Sequence, residues 1–137
     1  MNKHFITSSY VAGMAFSASI YGHKIIMDTP DEGGSDSGPS PKKLILASLA
    51  GCTGIDVVSI LNKMKVPFSD LTINVEAGLT DEHPKIYKDV IINYSIKLAM
   101  EDRSKMERAV NLSQEKYCGV SAMFRAFTTV ESVITYI

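Results

Sequence analysis

The sequence predicts an α+β fold in a single domain spanning residues 1–137, a length within the ordinary range for one domain. Several short stretches alternate between apolar and polar residues, a pattern typical of half-buried strands. One long, almost continuously apolar stretch lies between two prolines and predicts a buried helix. In chain order, the predicted elements are three strands, a helix, two strands, a helix and a last strand.

The first strands include a predicted hairpin. Alternation runs over residues 13–20, the dipeptide Gly22-His23 is predicted to form a two-residue turn, and residues 24–27 form the returning strand. A short strand at residues 4–8 is predicted to come before this hairpin.

The predicted central helix follows a loop, residues 28–40, which is dense in Gly, Pro, Asp and Ser. Ser40 is a good N-cap, Pro41 suits the first helical position, and Pro67 closes the segment. The helix would have about 24 residues and a length of roughly 36 Å. Its apolar residues fall nearly all round it, which predicts burial on several sides. Membrane insertion is not expected, because Asp56 and small polar residues interrupt the apolar stretch.

One face of this helix is different, because a stripe of polar or reactive side chains recurs every three or four residues. The stripe consists of Ser48, Cys52, Asp56, Ser59 and Lys63. Gly51 and Gly54 flank the cysteine, and each glycine costs the helix roughly 1 kcal/mol relative to alanine. The missing Cβ atoms would let a substrate reach the sulfur or let a second helix pack closely, and the sequence favours neither explanation.

Two further alternating stretches, residues 71–79 and 90–98, predict a pair of antiparallel strands. Ser104 and Glu107 form a capping box ahead of an amphipathic helix that is expected to run to about Tyr117 or Cys118.

Gly119 is the expected C-terminal stop of this second helix. A final strand at about residues 127–136 completes the predicted fold.

Composition excludes several kinds of partner. The 14 basic and 15 acidic residues are scattered along the chain, so neither nucleic acid nor a membrane surface is an expected partner. Two cysteines, Cys52 and Cys118, are too few for a disulfide framework. A cytoplasmic location is expected, because Thr7, Ser8 and Ser9 interrupt the apolar region that a secretory signal would need. The cysteines and histidines include no close-spaced pair of metal ligands, so no metal site is expected. The acidic Gly33-Gly34 loop lacks the lysine of a nucleotide-binding P-loop.

Three segments together resemble a known family. They are GPSPKKLILASLAGCTGIDVV (38–58), KVPFSDLTINVEAG (65–78) and YCGVSAMF (117–124). In this order they are similar to the OsmC/Ohr family, and more closely to its OsmC-like branch, over nearly the whole chain. The resemblance implies an OsmC-like fold, in which antiparallel sheets wrap the long central helices of a tightly intertwined homodimer.

The same resemblance implies a thiol peroxidase of the oxidative and osmotic stress response. Cys52 matches the family's peroxidatic cysteine, which reduces organic or fatty-acid hydroperoxides. Cys118 matches the resolving cysteine, which condenses with the sulfenic acid to give a disulfide. An external dithiol, lipoyl-type in better-known members, then reduces that disulfide, and no bound cofactor is implied.

The chain departs from the hydroperoxide-reducing members at two positions. They carry a glutamate shortly after the Ser-Pro at the helix start, where this sequence has Lys42, and an arginine in the early strands, whereas no arginine precedes Arg103 here. The alternative is therefore a non-catalytic protein that binds a small molecule or lipid, or that senses redox state. A reactive Cys52 would need a cation, and the sequence leaves the choice open among Lys42, Lys43, Lys24, His23 and Arg125.

Overall fold

The computed structural model describes residues 1–137, which fall into two compact units, residues 1–45 and 46–137. The predicted α+β class is confirmed, while the assignment of the whole chain to one domain stays a prediction. The strands are β1 (Thr7–Ala12), β2 (Ala15–Ile20), β3 (His23–Met27), β4 (Phe68–Leu79), β5 (Tyr87–Leu98) and β6 (Val130–Tyr136). The α-helices are α1 (Pro41–Lys63), α2 (Arg103–Leu112) and α3 (Gly119–Arg125).

The first unit contains an antiparallel sheet in the order β1-β2-β3. Ile20 pairs with His23, so the turn between β2 and β3 consists of Tyr21 and Gly22, with φ angles of 47° and 88°. The predicted turn at Gly22-His23 is wrong by one residue, because this two-residue turn needs positive φ at both positions and places the glycine second. The strand predicted at residues 4–8 begins at Thr7.

The loop between β3 and α1 is organised by one buried carboxylate. Asp28 accepts hydrogen bonds from the backbone N–H groups of Thr29 (2.8 Å), Ser35 (3.3 Å) and Ser37 (3.0 Å), and from Ser37 Oγ (2.6 Å). Since these donors favour the charged form, they lower the pKa of Asp28 to about 2, with Ser37 as the largest contributor. The segment is a loop as predicted, but the sequence did not indicate the aspartate at its centre.

The second unit contains a mixed sheet in the order β4-β5-β6. Strands β4 and β5 are antiparallel, as predicted. Strand β6 is parallel to β5, with Val90 opposite Val130, so the expectation of antiparallel sheets is wrong for this strand. The reason is that the chain leaves the end of β5 and returns through α2 and α3 to its beginning, the crossover that parallel strands require.

Helix α1 begins at Pro41 as predicted. The fully buried side chains of its second-unit part are four residues apart, at Leu49, Thr53, Val57 and Leu61, and so form one face. They belong to a core that also contains Val90, Ile92, Tyr94, Ile96, Met106, Ala109 and Val110.

The single chain does not bury α1 on several sides as predicted, because its other faces carry exposed apolar side chains such as Ile55, which is 73% exposed. By length and composition alone α1 could cross a membrane. In this fold it supplies the core face just described.

The second predicted helix is divided. Helix α2 ends at Leu112, a π-helical turn covers Ser113–Tyr117, and the chain is extended at Cys118 before α3 begins at Gly119. The expected stop at Gly119 is therefore wrong. The Cys118 side chain caps α3 by accepting the N–H of Ser121, so the glycine starts a helix instead of ending one.

Candidate active site

Cys52 lies in the middle of α1, partly exposed and packed against the core of the second unit. A Cβ atom added at Gly54 would lie 3.0 Å from Ile73 Cδ1 of β4, so this glycine permits close packing of helix against sheet. A Cβ atom added at Gly51 would meet no atom within 4 Å. Close packing at Gly54 is thus against strand β4 and not against the second helix that the sequence suggested, while Gly51 leaves an open surface beside the cysteine.

Cys118 is positioned by the break between the π-helical turn and α3. It is only 3% exposed. Its sulfur accepts hydrogen bonds from Ser121 Oγ (3.1 Å) and from the Ser121 N–H (3.4 Å), while its own N–H bonds to the Ser113 carbonyl at 2.7 Å. Hydrogen bonds thus fix both the side chain and the backbone of Cys118.

The structure brings the two predicted site residues together. The Cys118 side chain and the backbone N–H of Val120 both interact with the Cys52 thiol, and both cysteines are free. Burial is the largest influence and raises the pKa of Cys52, and Cys118 and the negative Asp56 raise it further. Only the Val120 N–H acts in the opposite direction.

Of the cations considered from the sequence, Arg125 alone belongs to the same unit as Cys52, and it is not among the groups that influence the pKa of that thiol, whereas Lys42, Lys43, Lys24 and His23 belong to the first unit. Arg125 ends α3 and donates through Nη2 to Gln114 Oε1 at 2.8 Å. The groups of the second unit that act on Cys52 thus raise its pKa on balance, which favours the thiol over the thiolate.

A buried polar cluster that the sequence did not reveal lies next to the cysteines. Its centre is Thr53 Oγ1, which is 2.6 Å from Tyr94 OH, 2.8 Å from Ser113 Oγ and 3.1 Å from Gln114 Nε2. Ser113 Oγ donates to Asp56 Oδ2 at 2.9 Å, and Gln114 Nε2 also donates to Tyr94 OH at 3.2 Å. Residues from α1, β5 and the π-helical turn are thereby joined beside the two thiols.

The directions of these hydrogen bonds follow from counting protons. Ser113 has one hydroxyl proton and gives it to Asp56, so it must accept from Thr53. Thr53 has then used its own proton and must accept from Tyr94, which completes a directed chain from Tyr94 through Thr53 and Ser113 to Asp56. Burial raises the pKa of Tyr94, which keeps the phenol protonated as this chain requires.

Ser113 and Gln114 continue the buried face of α2. They follow Met106, Ala109 and Val110 at helical spacing, and both are buried in the π-helical turn. This spacing places the two residues on the inner face, but it gives no sign of the polar partners that they meet there.

Asp56 also lines a cleft of about 360 Å³ in the second unit. The cleft lies between α1 and the α2 region, and its wall includes the apolar Ile60 and Leu112 and the basic Lys63 and Arg108. It therefore offers a small molecule both apolar and charged contacts close to the stripe that carries Cys52.

A family model described as OsmC-like protein matches residues 34–133, which is most of the chain and includes both cysteines. The chain belongs to the OsmC-like family. The protein YhfA of Escherichia coli K12 is 33% identical to it over 115 residues, which are 83% of this chain and 84% of YhfA.

Solved structures show the same fold. A hypothetical protein from Aquifex aeolicus is 27% identical, with a TM-score of 0.85 over 100% of this chain and 98% of its own. An organic hydroperoxide resistance protein OsmC from Legionella pneumophila is 18% identical, with a TM-score of 0.68 over 98% of each chain. The predicted OsmC-like fold is thus confirmed.

Proposed function

We propose that this protein is a thiol-dependent peroxidase in which Cys52 reduces an organic hydroperoxide and Cys118 resolves the product. The supporting observation is that two free thiols from separate elements meet, one partly exposed on α1 and one buried at the start of α3. Because a peroxide meets the accessible sulfur first, exposure favours Cys52 as the attacking thiol and Cys118 as its partner.

Two steps complete the chemistry. The Cys52 sulfur attacks the terminal oxygen of R–O–OH, so an S–O bond forms, the O–O bond breaks, and Cys52 sulfenic acid and the alcohol ROH result. The Cys118 sulfur then attacks Cys52, forming a disulfide and releasing water. An external dithiol, of the lipoyl type in our proposal, reduces the disulfide and is itself oxidised to a cyclic disulfide.

We further propose that the working molecule is a cytoplasmic homodimer. On α1, an apolar surface outside the buried face is formed by Gly51, Gly54, Ile55, Val58 and Asn62 with Ser59. A second copy covering it would bury Ile55 and supply the additional burial that the sequence pattern of α1 predicts.

The decisive test uses purified protein with cumene hydroperoxide and dihydrolipoamide. We expect peroxide-dependent turnover in the wild type, none in Cys52→Ser, and a dimedone-trapped sulfenic acid at Cys52 in Cys118→Ser. The proposal is wrong if peroxide leaves both thiols of the wild type unmodified.

A second function, binding of an apolar small molecule without catalysis, is favoured by one observation. The pKa of the Cys52 thiol is raised and no cation of the second unit counters this, although the thiolate is the reactive form. Native mass spectrometry of freshly purified protein distinguishes the two functions, because a co-purifying ligand together with slow alkylation of Cys52 and no peroxide turnover would support binding.

A further inference from the structure

We propose that Asp56 is a catalytic residue that takes the proton of the Cys52 thiol during attack on the peroxide and passes it to the departing alkoxide. This inference rests on the peroxidase function proposed above. As a fixed negative charge alone, Asp56 would oppose the peroxidase function because it disfavours the Cys52 thiolate. The inference gives this carboxylate a chemical role instead.

The first support is the position of Asp56 on α1. It lies four residues after Cys52, so the two side chains are neighbours on the same helix face, with Cβ atoms about 5–6 Å apart. Side chains of an α-helix tilt toward its N-terminus, which directs the Asp56 carboxylate back toward Cys52. Its electrostatic effect on the pKa of the Cys52 thiol is consistent with this proximity.

The second support is that the carboxylate is held at one oxygen only. Ser113 Oγ donates to Oδ2 at 2.9 Å, and the directed chain from Tyr94 through Thr53 fixes the Ser113 hydroxyl in that orientation. The chain provides no hydrogen-bond donor to Oδ1, so this oxygen can accept the thiol proton. Because Asp56 lines the cleft, it can also be reached by a bound peroxide.

The third support is the lack of another base facing this position. The other charged or titratable groups that share the stripe or the cleft are Lys63 of α1, Arg108 of α2, and Tyr117 of the π-helical turn. The lysine and arginine side chains have no hydrogen-bond acceptor, and Cys118 is the resolving thiol. Asp56 is thus the one carboxylate among these groups.

The proposed step is balanced. As the Cys52 sulfur forms its bond to the terminal peroxide oxygen, its proton moves to Asp56 Oδ1 and the O–O bond breaks. The protonated Asp56 then gives this proton to the alkoxide RO⁻, which leaves as ROH and restores the carboxylate. A thiol is far less acidic than a carboxylic acid, but the alkoxide that finally takes the proton is a much stronger base than either.

The test compares two reactions of Cys52 in wild type and in Asp56→Asn, by stopped-flow with cumene hydroperoxide and by iodoacetamide alkylation at the same pH. Alkylation reports the thiolate fraction, and loss of the negative charge should increase it because the pKa of Cys52 falls. The peroxide reaction should slow by about a hundredfold, a typical contribution of general acid–base catalysis. In Asp56→Asn the peroxide rate should rise about tenfold per pH unit below the thiol pKa, because only preformed thiolate then reacts.

Asp70→Asn, at an exposed aspartate of β4, is the matched control and should change neither reaction. If Asp56→Asn accelerates both reactions, or leaves the peroxide reaction unchanged, Asp56 is only a repelling charge and the inference is overturned. If peroxide fails to oxidise Cys52 even in the wild type, the proposed peroxidase function fails, and this inference fails with it. Circular dichroism of each variant checks that a slow reaction does not reflect unfolding.

Discussion

Thr53 is the single residue on which the buried polar cluster depends, because its hydroxyl contacts Tyr94, Ser113 and Gln114. Thr53→Val keeps the shape of the side chain but leaves buried donors and acceptors without a partner. We expect it to lower the free energy of unfolding by about 1–3 kcal/mol, measured by urea denaturation. Thr53→Ser, which keeps the hydroxyl, is the control and should cost less. Equal losses in the two variants would mean that packing of the methyl group, and not the cluster, determines stability at this position.

Asp28 makes the first unit sensitive to acid. Its pKa is about 2 in the folded chain against an ordinary value of 3.8, so the ionised carboxylate stabilises the fold fully above 3.8, and this contribution disappears as the pH falls toward 2. We expect Asp28→Asn to be less stable than the wild type at neutral pH and to lose less stability on acidification across this window. Urea midpoints measured at both ends of the window test this. Asp31→Asn, at an exposed aspartate of the same loop, should keep the wild-type pH dependence.

At the scale of elements, Gly54 determines how closely α1 approaches β4. Alanine favours a helix by about 1 kcal/mol over glycine, but a Cβ at this position would lie 3.0 Å from Ile73 Cδ1. We expect Gly54→Ala to gain less than this amount on its own and more when combined with Ile73→Val, which removes the Cδ1 atom. A double-mutant cycle in urea measures this coupling. Strictly additive changes in the free energy of unfolding would show that the contact between Gly54 and Ile73 does not limit how closely α1 approaches β4.

Periodicity predicted the elements and the pairing of β4 with β5, but it did not predict the direction of β6. Alternation located β4 and β5, and proline positions located the start of α1. Strand β6 has the same alternation whichever way it runs, so only the long helical connection before it could have indicated a parallel pairing. The π-helical turn leaves no period of its own in five residues.

For the candidate site, the sequence placed Cys52 on the correct helix, and the resemblance paired it with Cys118. Cys118, expected at the end of the second helix, lies instead at the extended residue that caps α3. The polar cluster was not predictable in the same way. Tyr94 occupies an inward position of an alternating strand and looks like a core residue, and Thr53 looks like a small helical side chain. Their hydroxyls meet across 41 residues of chain, and no local pattern records a contact at that separation.

At the scale of the whole molecule, we expect a single substitution on the exposed apolar side of α1 to change the oligomeric state. Ile55 is 73% exposed in the single chain and lies in the middle of the surface that we propose a second copy covers. Ile55→Glu would bury a charge there and should convert a dimer to a monomer in sedimentation equilibrium, because an unpaired buried charge is costly. Met100 has the same exposed fraction but lies before α2, so Met100→Glu should leave the dimer intact. A wild-type protein that is monomeric, or an Ile55→Glu protein that still dimerises, would mean that this side of α1 is not the interface.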